Sequence, residues 1–518
     1  MLIHSLLERT NQEFPQKEAI WFRNRWTSYS TLERESNQIA AFLIKDGLHR
    51  GERAAILMEN SSVFVSIYFG ILKAGGVVVG LNTETSGAEL EYLVLDSEAK
   101  YLFISPKHLH LFQPVIRKLK KLNSIIICGD DQARPDIGDS GIRSTIYQNI
   151  LAEYSALKAE GNRCIDLDLA EIVYTSGSTG KPKGVMLSHL NLASNMASIA
   201  EYLHLTESDR VMVVLPFTYI YGKSLLLTHI MTGGSLVIDN RFIYPNTVLE
   251  TMHQTSVTGF AGVPSTFSIL LNHSSLKKYT FPSLRYVTQA GGHMAPALQT
   301  RVAEAFHPAQ LFVMYGATEA APRLSYLEPS HLSGKLGSIG KPVPNVDLFV
   351  ADEKGNPLPA GQHGELAARG SNIMQGYWKD PEGTREVLKH GLYFTGDLGM
   401  MDEDGFLFVV GRKKEIIKVK GYRVSAKEIE EKILELQNVL EAAVIGVPDP
   451  TLGEAVKACI VLRDGSRLTE KDILAHLKKH LSGFKLPKYI EFFESLPKNK
   501  SGKIMKTQLQ KESGSKPS

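Results

Sequence analysis

Short apolar runs alternate with amphipathic stretches as far as about residue 340, and this alternation limits the folds open to the chain. The run 53–58 (RAAILM) predicts a buried strand, 61–72 (SSVFVSIYFGIL) a helix and 76–80 (GVVVG) a second strand. Further strand-like runs, such as 211–215 and 234–239, follow after residue 210 with helical segments between them. Strands and helices that alternate in this way form layered α/β structures in which most strands run parallel. The sequence therefore predicts an α/β fold.

The chain has 518 residues, which is too long for one simple core, and its pattern changes toward the C-terminal end. After Gly340, short strand-like segments bounded by turns, such as 364–369, predict a β-rich subdomain. Beyond Arg412, two helical patterns enclose two strand-like runs, which is typical of a small α+β unit. We expect a large multi-subdomain N-terminal α/β domain over residues 1–411 and a small α+β C-terminal domain over 412–518.

Charge and composition exclude several classes of function. The 58 basic and 55 acidic residues give a net charge of +3, which supplies no global attraction to nucleic acid or to an anionic membrane. Glu8 and Arg9 interrupt the N-terminal apolar stretch, and Lys73 interrupts the longest apolar region, so neither resembles a targeting or membrane segment. The three cysteines lie far apart, which favours reduced thiols. We expect a cytoplasmic protein with no membrane span and no nucleic-acid partner.

The segment 172–190, IVYTSGSTGKPKGVMLSHL, predicts a phosphate-binding loop on a strand–loop–helix frame. Its glycines let backbone N–H groups turn inward, its hydroxyls add donors and its lysines add positive charge. A flexible Gly/Ser linker is the alternative, but a linker does not need Lys181 and Lys183 on either side of Pro182 directly after a strand. That proline also breaks the ordinary P-loop register. The residues predicted to surround the phosphates are Thr175, Ser176, Gly177, Ser178, Thr179, Gly180 and Lys183.

The run YTSGSTGKPKGV at 174–185 resembles the signature of the adenylate-forming superfamily, which includes acyl-CoA synthetases, peptide-synthetase adenylation domains and luciferases. Further motifs follow in the family's order, namely QAGGH (289–293), YGATE (315–319), YFTGD (393–397), GRKKEIIK (411–418) and PKNKSGKI (497–504). The resemblance covers nearly the whole chain. It implies an enzyme that uses ATP to activate a carboxylic acid as an acyl-adenylate, releases pyrophosphate, and passes the acyl group to a thiol.

The resemblance implies catalytic roles for Lys503, Thr318 and Glu319, and a metal site at Glu319 and Thr175. Lys503, on a C-terminal domain that is mobile in the family, would reach the α-phosphate and the substrate carboxylate as a compact positive charge. Thr318 would donate a hydrogen bond to the α-phosphate. Glu319 and Thr175 would bind Mg²⁺, which prefers hard oxygen ligands and shares its shell with phosphates.

The resemblance also implies a nucleoside site. Tyr315 would pack against adenine, while Asp397 would accept hydrogen bonds from the ribose hydroxyls with Arg412 assisting. The other residues that the resemblance assigns to ATP or AMP are Gly292, His293, Gly316 and Ala317.

Two further roles concern the second half of the reaction. Lys414 matches the hinge about which the family's two domains rearrange between the half-reactions. Lys420, Gly421 and Tyr422 lie where a basic face would meet the phosphates of coenzyme A or a phosphopantetheine arm. A solvated charged surface is the alternative interpretation of this basic run.

Tyr219, Tyr221, Val263 and Gly291 are the predicted acyl-substrate pocket, with Phe260 nearby. Amino-acid-activating relatives carry an aspartate near position 219, and no acid is present here, so the substrate ammonium would be buried without a partner. The pattern favours an apolar fatty or aromatic acid, with simple core packing of these residues as the alternative. The position of Tyr219 also departs from the histidine that is common in acyl-CoA synthetases.

Three functions remain open from the sequence. The first is an acyl-CoA ligase that uses free coenzyme A, and the second is a stand-alone adenylation enzyme that loads the acid onto a separate carrier protein. The third, a non-catalytic nucleotide-binding relative, is disfavoured because Glu319 and Lys503 are both present. A monomer and a homodimer are both compatible with the sequence.

Overall fold

The computed structural model describes residues 1–129, 141–157, 163–175, 182–419, 422–449, 452–463, 465–498 and 504–514. Its α-helices are α1 (His4–Glu13), α2 (Tyr29–Lys45), α3 (Ser62–Lys73), α4 (Gly87–Ser97), α5 (Leu109–Phe112), α6 (Tyr147–Glu153), α7 (His189–Tyr202), α8 (Ile220–Thr232), α9 (Pro245–Gln254), α10 (Pro264–His273), α11 (Pro296–Phe306), α12 (Pro381–Val387), α13 (Ala426–Leu434), α14 (Glu470–Lys478) and α15 (Lys506–Gly514).

The strands of the described ranges form four sheets. They are β1 (Glu18–Phe22), β2 (Arg25–Ser28), β3 (Arg53–Leu57), β4 (Val77–Gly80), β5 (Tyr101–Ile104), β6 (Ser124–Ile127), β7 (Arg143–Ile146), β8 (Leu169–Thr175), β9 (Lys183–Ser188), β10 (Arg210–Val213), β11 (Ser235–Ile238), β12 (Gly259–Gly262), β13 (Tyr286–Gln289), β14 (Gln310–Gly316), β15 (Arg323–Leu327), β16 (Lys341–Pro342), β17 (Val346–Ala351), β18 (His363–Gly370), β19 (Gly376–Tyr377), β20 (Leu388–Lys389), β21 (Leu392–Met401), β22 (Leu407–Arg412), β23 (Ile416–Val419), β24 (Tyr422–Ser425), β25 (Val439–Asp449), β26 (Gly453–Leu462) and β27 (Tyr489–Phe492).

The first two sheets confirm the predicted α/β layers with largely parallel strands. The first sheet has the order β19-β9-β8-β4-β3-β5-β6-β7, and its strands from β8 to β7 run parallel. The second has the order β16-β15-β14-β13-β12-β10-β11-β1-β2, with a parallel centre from β14 to β1 and antiparallel strands at both edges. Central strands such as β5 and β12 are buried at every position, as strands covered on both faces must be.

Helix α3 shows why the sequence folds in this way locally. The Ser61 Oγ atom accepts a hydrogen bond from the Phe64 N–H at 3.1 Å and so begins the helix. Every residue from 64 to 72 is buried, because the run is apolar on all sides and must lie inside the protein.

A buried ion pair joins β8, which leads into the predicted phosphate loop, to α8. Lys223 Nζ lies 2.9 Å from Glu171 Oε1, and both side chains are 1% exposed. The Tyr68 hydroxyl on α3 donates a hydrogen bond to Glu171 Oε2 at 3.3 Å. Burial lowers the Lys223 pKa and the neighbouring Glu171 carboxylate opposes that shift. Loss of either charge would leave the other buried alone, so this pair fixes β8 against α8.

The frame around the predicted loop differs from the strand–loop–helix prediction. Strand β8 ends at Thr175, β9 begins at Lys183, and the two strands pair antiparallel with these residues opposite each other. Helix α7 begins only after β9, where Ser188 Oγ accepts the Asn191 N–H at 3.1 Å. The helix predicted after the loop is confirmed as α7, but the prediction missed β9, because a short apolar run such as 184–188 does not by itself distinguish a strand from the start of a helix. The loop therefore joins two strands, and no helix begins directly after it.

The predicted β-rich subdomain is confirmed after β16. Its sheet has the order β17-β18-β21-β20, with β22 paired to β21. The C-terminal α+β unit is confirmed as well, with strands β24-β23-β26-β25, β27 paired to β26, and helices α13 to α15. A 3-10 turn, Lys413–Glu415, separates β22 of one sheet from β23 of the other. Among the described residues, no helix combines the length and apolar character needed to cross a membrane.

Candidate functional site

Three predicted nucleoside residues meet at one point of the structure. Asp397 on β21 lies directly opposite Arg412 on β22, and Tyr315 approaches from the end of β14. The Tyr315 hydroxyl donates to Asp397 Oδ2 at 2.6 Å, and Arg412 Nε donates to Asp397 Oδ1 at 2.8 Å. The motifs YGATE, YFTGD and GRKKEIIK are thus brought together although Tyr315 and Asp397 lie 82 positions apart in the sequence.

The electrostatics of this cluster keep Tyr315 neutral and Arg412 charged. Burial raises the Tyr315 pKa well above its usual value, and the Asp397 carboxylate adds to the rise. The same carboxylate raises the Arg412 pKa, so the guanidinium stays protonated. A carboxylate has about four acceptor positions, and these two side chains fill only one on each oxygen. The remaining positions fit two ribose hydroxyls, so the cluster fits a bound nucleotide.

Glu319 occupies the 3-10 turn Thr318–Ala320 that follows β14. Its Oε1 atom accepts a hydrogen bond from the Tyr377 hydroxyl at 2.8 Å, and its main-chain oxygen accepts the Met374 N–H at 2.9 Å. Burial and the Glu319 charge both raise the Tyr377 pKa, so Tyr377 remains a neutral donor. A half-buried carboxylate held by one donor keeps free lone pairs, which fits the hard oxygen ligand that Mg²⁺ prefers.

Gly316 and Ala317 form the turn between Tyr315 and Thr318. A Cβ atom on Gly316 would overlap the Pro322 main-chain oxygen, and that same oxygen accepts the Ala317 N–H at 2.9 Å. Only glycine permits this close approach, which explains the residue type in the motif.

The ends of the predicted phosphate loop are described, and its centre is not. Thr175 Oγ1 lies 3.5 Å from the Lys183 main-chain oxygen, at the limit of a hydrogen bond. Lys183 Nζ lies 2.8 Å from Asp380 Oδ2 and 4.8 Å from the centre of the Tyr377 ring. The predicted phosphate ligands Ser176, Gly177, Ser178, Thr179 and Gly180 lie outside the described residues.

Part of the predicted acyl pocket also converges. Gly291 has a φ of +83°, and a Cβ atom there would lie 2.5 Å from the Tyr219 hydroxyl and 3.1 Å from Val263 Cγ1. The Tyr221 ring lies 6.4 Å from the Tyr219 ring, and its hydroxyl bonds Thr288 Oγ1 at 2.7 Å. Three predicted residues, Tyr219, Val263 and Gly291, therefore lie close together, and Tyr221 is next to Tyr219.

Phe260 does not belong with that group. Its ring packs between Phe267 and Phe306 in a separate hydrophobic core, with centroid distances of 5.8 and 6.2 Å. For Phe260 the core-packing alternative is the correct one.

His293, predicted at the nucleotide, contacts the C-terminal region in this structure. Its Nε2 atom lies 2.8 Å from Glu431 Oε1 on α13. Burial lowers the His293 pKa and the Glu431 carboxylate opposes that shift. The neighbouring Gly292 uses its main-chain oxygen to accept a hydrogen bond from Gln289 at 2.7 Å. The QAGGH motif thus touches the C-terminal α+β unit in this arrangement.

Of the remaining predicted residues, Lys414 and Tyr422 are described by the structure. Lys414 lies within the turn Lys413–Glu415, between the two sheets. Tyr422 is 57% exposed and stacks on Phe484 at 4.6 Å. Lys420, Gly421 and Lys503 lie outside the described residues.

Sequence reasoning missed two residues of the site, Tyr377 and Asp380. Tyr377 ends the short strand β19 and Asp380 follows it, and both act on predicted residues, Tyr377 on Glu319 and Asp380 on Lys183. The only sequence signal is Asp380 before Pro381, which is typical of a helix start, and its Oδ1 does accept the Gly383 N–H.

Comparisons with known proteins cover nearly the whole chain. The family model described as "AMP-binding enzyme" matches residues 7–378, and "AMP-binding enzyme C-terminal domain" matches residues 428–503. A long-chain-fatty-acid–CoA ligase from Yersinia pestis is 36% identical over 510 residues, covering 94% of this chain and 90% of that protein. A feruloyl-CoA synthase from Amycolatopsis sp is 33% identical and covers 94% of each chain. The solved structure of the anthranilate CoA ligase AuaEII in complex with anthranoyl-AMP has a TM-score of 0.90 at 27% identity, covering 99% of this chain and 97% of that one.

Proposed function

This chain belongs to the AMP-binding enzyme family, and we propose on that premise how its residues activate a carboxylic acid and transfer it to coenzyme A. It is an AMP-forming acid–CoA ligase that uses ATP, Mg²⁺ and coenzyme A. The observation that best supports the residue roles is the meeting of Tyr315, Asp397 and Arg412, because it provides a charged acceptor for a ribose beside an aromatic ring.

In the first half-reaction, a carboxylate oxygen of the acid attacks the α-phosphorus of ATP. A bond forms between that oxygen and phosphorus, the bond to the bridging oxygen breaks, and pyrophosphate leaves. The reacting groups are both negative, so the site must neutralise charge and hold the attack in line. We assign the α-phosphate contacts to Thr318 and Lys503, and the β- and γ-phosphates to the loop from Thr175 to Lys183. Glu319 and Thr175 would hold Mg²⁺, which neutralises phosphate charge when bound.

In the second half-reaction, the thiol of coenzyme A attacks the acyl carbon and AMP leaves. We assign the approach of coenzyme A to Lys420, Gly421 and Tyr422, with the rearrangement hinged at Lys414. The domain division after residue 411 belongs to this proposal, since the turn at Lys413–Glu415 separates the two sheets.

The acid itself is proposed from the pocket and the relatives. Tyr219, Val263 and Gly291 lie close together, and the sequence 215–223 around Tyr219 contains no acidic residue to pair with a substrate ammonium. The relatives are named for a long-chain fatty acid and for ferulate. We therefore propose an acid with an apolar chain or ring. A cytoplasmic location and a monomeric or homodimeric state remain predictions.

The test is a panel of aliphatic and aromatic acids, each incubated with ATP, Mg²⁺ and either coenzyme A or a phosphopantetheinylated carrier protein. We expect pyrophosphate release in both series and thioester only with coenzyme A. Thioester on the carrier protein alone would contradict the assigned acceptor, and no acid-dependent pyrophosphate release would contradict the activity.

A further inference from the structure

Arg323 is a fully buried arginine at the start of β15, with only 2% of its surface exposed. Its main chain is held by Asn195, whose side chain accepts the Arg323 N–H and donates to the Arg323 oxygen, both at 2.8 Å. These two hydrogen bonds fix the Arg323 backbone, and neither involves the guanidinium.

The guanidinium lacks an acidic partner in the described part of the chain. No carboxylate there lies within 4.0 Å of it, and its Nε atom is buried without a hydrogen bond. Lys223, the other lysine or arginine buried to this degree within the described ranges, is paired with Glu171 at 2.9 Å. Buried charges are ordinarily paired because an isolated charge in the interior is costly. The unpaired charge of Arg323 therefore indicates a site for a bound anion.

The neighbours of Arg323 belong to the acyl pocket. Its Cζ atom lies 5.1 Å from the centre of the Tyr221 ring, and the Tyr221 ring lies 6.4 Å from that of Tyr219. Tyr219 in turn reaches Gly291. A series of neighbouring side chains thus leads from Gly291 through Tyr219 and Tyr221 to the Arg323 guanidinium.

A purely structural role is the alternative, with the guanidinium stacked on tyrosines. Tyr202 is a polar neighbour of Arg323. Burial raises the Tyr202 pKa, whereas the charge of Arg323 and a hydrogen bond between the two side chains lower it. A neutral hydroxyl does not compensate a full charge, and a ring face satisfies none of the five N–H donors of a guanidinium. A carboxylate accepts two of those donors at once and neutralises the charge.

We propose that Arg323 binds a second carboxylate on the acid substrate, so that the enzyme activates dicarboxylic acids whose apolar middle section passes Tyr219 and Tyr221. The inference rests on the proposed function and narrows its substrate class. One carboxylate is adenylated and the other pairs with Arg323, which positions the acid from its far end.

The test compares acids of equal carbon number with one or two carboxylates, namely hexanoate with adipate, octanoate with suberate and decanoate with sebacate. The variants are Arg323→Met, which keeps the length without charge, and Arg323→Lys. Pyrophosphate release with ATP and coenzyme A gives kcat/KM for each acid. We expect the wild-type enzyme to favour one dicarboxylate about 10²-fold or more over its monocarboxylate, because a site built for a polar group rejects the analogue that lacks it.

Arg323→Met should abolish that preference, mainly through the dicarboxylate, and Arg323→Lys should restore it in part. Arg241→Met is the matched control, since Arg241 is paired with Asp239 and its side chain is 58% exposed, and it should leave the ratio unchanged. Arg323→Met should also keep or raise the Tm, because the charge it removes has no acidic partner.

A wild-type preference for monocarboxylates at every length would overturn the inference while the proposed function stands, and this result needs no variant to fold. An unchanged ratio in Arg323→Met, with a lowered Tm, would assign Arg323 a structural role instead. Absence of pyrophosphate release with every acid would count against the proposed function itself.

Discussion

The nucleotide end and the acyl end of the site are built differently. At the nucleotide end, Tyr315, Asp397 and Arg412 come from separate strands and already satisfy one another through bonds of 2.6 and 2.8 Å. At the acyl end, Tyr219, Val263 and Gly291 lie close together, and Arg323, beside Tyr221, has no carboxylate partner among the described residues.

The difference follows from what each end must bind. ATP is the same for every acid, so its contacts take a fixed form that short motifs carry. The acid varies, so its proposed contacts include residues outside the motifs, namely Tyr219 before α8, Val263 before α10 and Arg323 on β15. Substitutions at the nucleotide end should therefore change the dependence on ATP or Mg²⁺, and those at the acyl end the dependence on the acid.

The largest effect is expected at Lys503. Lys503→Ala should slow acyl-adenylate formation by about 10²–10³-fold, as for the loss of one group that stabilises transition-state charge. Thioester formation from supplied acyl-AMP should stay close to wild type, measured by single-turnover assays. Lys498→Ala is the control, because the Lys498 ammonium is already paired with Glu441. Equal losses in both half-reactions would contradict the role.

Glu319→Gln should weaken the dependence on Mg²⁺ at the nucleotide end. The Mg²⁺ concentration for half-maximal pyrophosphate release should rise by about 10–100-fold, since an amide is a poorer ligand than a carboxylate. Tyr377→Phe removes the hydroxyl that orients Glu319, and a smaller shift in the same direction is expected. An unchanged Mg²⁺ dependence in Glu319→Gln would exclude it as a ligand.

Asp397→Asn should act on ATP and not on the acid. It removes the charge that Arg412 and Tyr315 share, and the KM for ATP should rise by about 10-fold, the usual cost of a hydrogen bond to a charged group. The KM for the acid should change little. Asp352→Asn, in an exposed turn of the same sheet, is the control. A comparable rise in the KM for the acid would break the distinction between the two ends.

The smallest effect concerns the framework of the acyl end. Burial lowers the pKa of His229, in the last turn of the helix α8 that begins after Tyr219, to about 4, and its ring is held by Leu225 and Tyr286. Between pH 6.5 and about 4, His229 is therefore protonated in the unfolded chain and neutral in the native state. The free energy of unfolding should fall as the pH falls through this window, by about 1.4 kcal/mol per pH unit from His229.

Chemical unfolding at several pH values measures this slope. His229→Gln should lower it by about that amount, whereas His253→Gln, at an exposed histidine on α9, should leave it unchanged. His189, also with its pKa lowered to about 4 by burial, should keep part of the slope in both variants. An identical slope in His229→Gln and wild type would contradict this account.

Sequence reasoning reached most of the fold because local signals agreed with the tertiary structure. The helix α3 was predicted within one residue, since Ser61 marks its start and a long apolar run follows. Strand β9 was missed because a five-residue apolar run carries no period that separates strand from helix.

The site was predictable where a motif names the residue, as for Asp397 and Arg412. Arg323 was not, because an arginine after a proline gives no sign of burial until β14, β15 and α8 pack around it. Tyr377 was missed for the same reason, since its contact with Glu319 crosses 58 residues.

The most direct measurement of the central claim is the product stoichiometry with ATP, Mg²⁺, coenzyme A and an activated acid from the panel. The account predicts one AMP and one pyrophosphate for each acyl-CoA formed, with acyl-adenylate accumulating when coenzyme A is left out. Formation of ADP and phosphate, or acyl-CoA without AMP, would contradict it.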